Sequence, residues 1–406
     1  MSSTHVVKQY EIFCLHFTIV VLILDTYSDY KVAIQYLLNG ETTSFISIIC
    51  LMLISSLINV LISRQMQQRG DEEYNSTDDY CKILHLITKN RLFLVIAIPL
   101  KLAPIVNYWK TSKYAIKALK YKKSGDVINE SRYHKMMLKK YRDASLLRVL
   151  ECYLDAAPQQ ILQLTLMLNS YDKINFELFS DQVFSTFLAF IYMGASMAEY
   201  NKVIRFAQED KLNIGGIAEI LQLLWHFCIT AARILSLGII ASIWPISVII
   251  CCIIHWIGMT IWIWIDPNPN KISDHFCRTY DHSHMQPSFK KHIYSVLFAS
   301  VFGIVYIFIY INTAESNTVW RYVSFYILCF LENTISNLLW ANYCPPAIRN
   351  VWYFNKFHII SFVFFGLGII VMVLYYKVFH PSKKNNINRV SPNVPNEMIE
   401  LETTRF

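Results

Sequence analysis

The stretch LLRVLECYLDAAPQQILQLTLML, residues 146–168, decides how this chain is read. It is apolar and long enough for a bilayer core, which takes ~20 helical residues. Yet it carries Glu151 and Asp155, four residues apart and so on one helical face, beside Pro158, Gln159, Gln160 and Gln163. A bare acid at the centre of a membrane helix costs roughly 2.5–3.5 kcal/mol on insertion scales. Two of them on one turn imply a buried polar network or a wetted path. A plain anchor has no use for them.

The composition outside this stretch agrees. Of 406 residues, 54% are apolar and 16% charged, whereas soluble domains carry about 25% charged residues. The chain is read as an all-α polytopic membrane protein. Its first apolar run, Ile12 to Leu24, continues through Asp25 and Asp29 to Leu38 with no small-residue cleavage site after it. It is expected to remain as the first span. The net charge of +8 comes from Lys110 to Lys140 and from the tail after His380. These basic residues flank membrane segments, which points to positive-inside topology and away from nucleic acid as a partner. The 10 cysteines are scattered and show no metal-ligand spacing. Cys344, in an expected loop before the last segment, is a candidate for an intersubunit disulfide; a free structural thiol is the alternative.

Apolar segments fall at 10–38, 43–63, 83–108, 146–168, 181–204, 217–242, 244–265, 291–312, 319–341 and 357–379. Arg64 and Arg69 on one side of the third segment, and eleven basic residues from Lys110 to Arg142 on the other, put both flanks in the cytosol. One crossing between them would break the charge rule. Pro99, Lys101 and Pro104 interrupt the helix ladder there, so 92–108 is read as re-entrant or interfacial. Lys271, Arg278, Lys290 and Lys291 place the loop 266–290 in the cytosol, and Lys383, Lys384 and Arg389 place the tail there. One of the next three segments must then also fail to cross, either 291–312 or 319–341. The count is about eight transmembrane helices plus two partial ones, with both termini cytosolic. YLDAAPQQILQL (153–164) and FLENTISNLLWA (330–341) each place an acid after an aromatic–Leu pair. They suggest two pseudo-symmetric halves, 1–210 and 211–381, followed by a disordered tail, 382–406. The basic stretch 109–145 is expected to form a cytosolic loop of short amphipathic helices on the inner leaflet.

The intramembrane charges are the candidate site: Asp25 and Asp29 in the first segment, Glu151 and Asp155 in the fourth, Arg233 in the sixth and Glu332 in the ninth. Arg233 and Arg148 are the natural partners for two of the acids. No GxSxG, P-loop, GxGxxG or HExxH pattern occurs, so no enzyme, metal or cofactor is implied. His226, next to Trp225, reads as a packed histidine.

LLRVLECYLDAAPQQILQL resembles the signature of the XK-related family, as do, in the same order, LLWHFCITAARILSL, FLENTISNLLW and YYKVFHP (375–381). Asp25 and Asp29 fit that family's first helix. The resemblance covers nearly the whole chain up to Pro381. It implies phospholipid scrambling without ATP, including phosphatidylserine, and a fold of two related halves with four spans and one partial helix each. It also implies a plasma-membrane location, with a single-pass membrane protein or a second copy as partner. Carried over by motif, Asp25, Asp29, Glu151, Asp155, Gln159, Gln163, Arg233 and Glu332 line or gate a path for lipid headgroups. Some family members are released by caspase cleavage of a terminal segment, but residues 382–406 contain no Asp. Two other readings are a secondary transporter of a small solute and a non-transporting subunit that stabilises a partner.

Overall fold

The computed structural model describes residues 9–71, 95–169, 176–206, 214–265, 289–311, 319–350 and 354–379. Helix is the only regular structure among them. The expected cytosolic stretches 72–82 and 266–288, the beginning of the third apolar segment and the tail 382–406 lie outside the described residues.

The helices are α1 (Gln9–Leu38), α2 (Thr42–Asp71), α3 (Leu102–Ser124), α4 (Val127–Glu151), α5 (Ala157–Asn169), α6 (Phe176–Phe206), α7 (Gly216–Ala241), α8 (Pro245–Ile265), α9 (Phe289–Val305), α10 (Val319–Tyr343), the single turn α11 (Pro346–Arg349) and α12 (Phe354–Leu374). A π-helical turn, Cys152–Ala156, joins α4 to α5, and a second, Tyr375–Phe379, ends α12. Among the described residues, five helices are long and apolar enough to cross a membrane by composition: α1, α2, α7, α8 and α12 with its π turn. The rod α4–α5, α6 and α10 have the length as well, but carry interior charge.

α7 is the centre. Its apolar stretch is 89% buried, against 17–22% for α1, α8 and α12, whose outward apolar faces suit lipid. α6, α12, α5, α10 and α8 all pack on α7. Lipid gives little hydrophobic drive between apolar helices, so close backbone approach at small residues supplies the adhesion. Gly194 of α6 shows this: a Cβ there would lie 2.9 Å from both the Leu223 carbonyl and the Phe227 amide of α7.

Two expectations need correction, and one left open is decided. The basic stretch 109–145 is no loop of short helices. It forms most of a long hairpin, α3 and α4, joined at Gly125, whose φ of 76° ends α3, and by Asp126, whose carboxylate accepts the Asn129 amide at 3.1 Å to start α4. Tyr121 and Tyr133 stack across the hairpin at 5.2 Å. The fourth apolar segment is therefore the upper part of a rod that begins at Val127. Finally, of the two late segments left open by charge counting, 291–312 carries the break. α9 ends at Val305 and residues 306–311 are buried turn and irregular backbone, while α10 is unbroken.

Gly194→Ala places its new methyl against main chain that cannot give, so α6 and α7 must part. Thermal unfolding of the detergent-purified protein is expected to show destabilisation of about 1–3 kcal/mol. An unchanged midpoint would contradict this account of the α6–α7 seam.

Candidate functional site

The third apolar segment breaks as its prolines require. Residues 95–97 form a short helical turn, 98–101 turn back, and α3 starts at Leu102. Lys101 sits at the break with φ 48° and ψ 40°. It is the one non-glycine residue at positive φ among those described. That conformation costs an L-residue roughly 1–2 kcal/mol, and the surroundings hold it. Tyr30 of α1 donates its hydroxyl to the Pro99 carbonyl at 2.8 Å. The Lys101 ammonium donates to Asp29 Oδ2 at 2.5 Å, pairs with Asp155 Oδ2, and lies 3.8 Å from Glu151 Oε1. Asp25 stands one turn below Asp29 on α1, within electrostatic reach of the same ammonium.

Four of the predicted acids thus converge on one base. The sequence named Lys101 only as a helix breaker and expected arginines as the partners. Arg148 in fact turns away, to pair with Glu199 of α6 and to lie 4.7 Å from the Tyr192 ring. Arg148 and Asp155 diverge because the π turn comes between them: Ala157 N–H donates to Cys152 O, five residues back. Glu151 and Asp155 still share a face, as their spacing suggested. Around them lie further polar groups. Gln159 and Gln160 are buried on α5 with side-chain oxygens that accept no hydrogen bond. Ser55 and Ser56 of α2 are buried likewise. Gln163 is half-buried.

Arg233 and Glu332 form a second cluster at the second break. Arg233 Nη2 pairs with Glu332, Nη1 donates to Asn333 Oδ1 at 3.0 Å, and Nε donates to the Ile307 carbonyl at 2.7 Å. His255 of α8 adds to it, with Nδ1 2.8 Å from Glu332 Oε1 and Nε2 3.1 Å from the Tyr306 carbonyl. Both ring nitrogens face oxygen acceptors. Arg233 and His255 therefore satisfy carbonyls that α9 leaves free where it stops, which hydrocarbon could not do. Arg233 and Glu332 were singled out in the sequence, Arg233 as a partner for an unspecified acid; His255 and the two carbonyls were not.

The clusters are joined by Tyr153. Its hydroxyl lies 3.1 Å from Thr230 Oγ1, three residues before Arg233 on α7, and its ring is 6.1 Å from Phe308 in the second break. Lys101, Glu151, Asp155 and Arg233 are all buried, whereas Asp25, Asp29 and Glu332 are half-buried at the two outer ends. Glu332 stands in FLE (330–332) where Asp155 stands in YLD (153–155), and each acid holds a base at a broken segment.

His226 is packed as expected, stacked on Trp225 at 4.3 Å with Nε2 3.0 Å from Asn201 Nδ2. Cys344 is a free cysteine, buried among Trp340, Ile348 and Phe354. An intersubunit disulfide there requires that small cluster to open.

Lys101→Met leaves buried carboxylates without their counter-charge and is expected to cost about 3–5 kcal/mol in thermal unfolding. Lys101→Arg, which keeps the charge, is expected to recover most of it. Equal loss in both would show that the side chain's shape matters and its charge does not.

The sequence model of the XK-related protein family matches residues 13–381. Among curated relatives, Cell death abnormality protein 8 of Caenorhabditis briggsae is 26% identical over 408 aligned positions, covering 97% of this chain and 83% of the relative. Its namesake in Caenorhabditis elegans is 25% identical, covering 95% and 82%. With a family model matching nearly its whole length, residues 13–381, the chain belongs to the XK-related family.

Proposed function

We propose that the chain is a phospholipid scramblase, moving lipids in both directions between leaflets without ATP. The carrying observation is a line of polar groups through the apolar bundle. It runs from Asp25 and Asp29, past Lys101, Glu151 and Asp155, over Tyr153 and Thr230 to Arg233, His255 and Glu332. A zwitterionic headgroup is costly in hydrocarbon and its acyl tails are not. Carboxylates along such a line meet choline, ethanolamine or serine amines, and arginine or lysine meets phosphate. No bond is made or broken; a desolvation barrier is lowered.

The charge balance favours this over a purely structural network. Four carboxylates surround one lysine in the first cluster, a surplus that a passing amine or solvent offsets. The sealed centre belongs to a resting state, with Tyr153 as the plug between the clusters. The relatives' printed name refers to cell death, which suits exposure of phosphatidylserine at the plasma membrane. The two halves, 1–210 and 211–381, are read as repeats of one unit because each YLD/FLE acid meets a base at a break. A second reading is a subunit that stabilises a single-pass partner or a second copy, using the outward apolar faces of α1, α8 and α12.

The test is purified protein in liposomes carrying fluorescent lipid, with a quencher added outside. Scrambling lets the quencher reach the inner-leaflet share; protein-free liposomes lose only the outer. Asp29→Asn and Glu151→Gln are expected to change the exchange rate severalfold while the protein stays monodisperse. Background exchange with the tail present and removed, and with candidate partner proteins added, rules out intrinsic scrambling and leaves the subunit reading.

A further inference from the structure

On α3, Trp109, Lys113, Ile116, Lys120 and Lys123 recur at spacings of four, three, four and three. At 100° per residue they fall within a band of about 80°, a single helical face. That face points outward: Trp109 is 37% exposed and Ile116 44%, and Lys120 and Lys123 are exposed. The inner face carries the buried Tyr108, Thr111, Ala115 and Ala118.

α1 runs antiparallel beside α3 and fixes the depth of this stripe. Asp29 meets Lys101, and His16 Nε2 lies 3.1 Å from Ser112 Oγ, with its ring edge-on to Trp109 at 6.2 Å. The same part of α1 turns Phe13 and Phe17 outward, 71% and 60% exposed, as lipid-facing aromatics. The stripe therefore starts beside a hydrocarbon-facing surface. It reaches the level of α1's first turn near Lys120, and Lys123 stands one turn beyond. Lys113 Nζ lies 4.7 Å from the Trp109 ring centroid, a cation resting on an aromatic ring at membrane-interface depth. Lys117 leans aside towards Tyr133. Asp126, at the hairpin turn, is engaged with Asn129.

We propose that this outward stripe binds the headgroup of an anionic phospholipid in the leaflet where α1 begins. The phosphate lies at Lys120 and Lys123, while Lys113, held on Trp109, adds positive charge deeper on the same face, and Trp109 and Ile116 contact the glycerol and upper acyl region. Basic residues at a bilayer surface attract acidic lipid, and an adjoining apolar strip distinguishes a lipid from a free anion. The stripe faces away from Lys101 and the buried line, so it holds a lipid at the rim and does not pass it. The proposal stands whether or not the chain scrambles.

The test uses the full chain in mild detergent, with lipid retention read by native mass spectrometry. The probes are phosphatidylinositol 4-phosphate and phosphatidylcholine, with a soluble inositol phosphate and polyglutamate as competitors. Wild type is expected to retain the acidic lipid on the order of 10–100-fold better than the zwitterionic one. The triple variant Lys113→Gln, Lys120→Gln, Lys123→Gln is expected to lose that preference. The corresponding triple Arg variant, and Lys135→Gln at an exposed site on α4, are expected to keep it. Equal retention by the triple Gln variant, equal loss in Lys135→Gln, or displacement by either soluble competitor as readily as by the lipid overturns the proposal. If the triple Gln variant aggregates, Lys120→Gln and Lys123→Gln alone must each lower the preference severalfold; no change in either overturns it.

Discussion

Lys101 reaches its ammonium into a group of carboxylates from a backbone conformation that lysine ordinarily avoids. Much of the first half's architecture follows from that contact. The break that exposes its main chain is fixed by Tyr30, and the acids that hold its side chain come from α1, α4 and the π turn. α1, the break before α3 and the α4–α5 rod are thus tied at one buried point. In hydrocarbon such a tie is strong when complete and damaging when incomplete, because an unpaired buried charge has no water to turn to. The same dependence explains why the acids can persist in segments otherwise apolar enough to insert.

The second half solves a related problem with a different balance. There the break is stitched by donors, Arg233 and His255, which satisfy carbonyls, while a single acid, Glu332, satisfies the donors. One end of the polar line is therefore rich in carboxylate and the other in cationic and carbonyl groups. For a zwitterion that asymmetry has meaning, since its amine and its phosphate favour opposite ends. Under the function proposed above, this difference orients the headgroup along the line.

The helices, the first break and the shared face of Glu151 and Asp155 were legible because each has a local chemical signature. Prolines mark the first break, positive-inside bookkeeping demands it, and carboxylates four apart announce a shared face. What was illegible depends on long-range geometry. Lys101 looked like a disruptive residue among prolines, and nothing local says that α1 and the α4–α5 rod both bend their acids towards it. Arg148 lies three residues before Glu151 and so looked like a neighbour for the acids. The π turn and the position of Glu199, 51 residues away, send it elsewhere. The hairpin α3–α4 was read as a surface loop because its lysines dominate the composition, while its buried side is written in small residues such as Ala115, Ala118 and Ala144.

The π turn at Cys152–Ala156 inserts one residue more than an α-helical path would need, a phase slip of about 100° along a single rod. Below the slip, Arg148 looks towards α6. Above it, Leu164 packs against Gly238 of α7. In an unbroken α-helix Arg148 and Gln159, eleven residues apart, would share one face; the slip parts them. The rod behaves like a shaft with two keyways cut at different angles. Its tolerance to change is accordingly lopsided: many side-chain exchanges preserve the slip, whereas loss of one residue from this turn would rotate everything above it out of register at once.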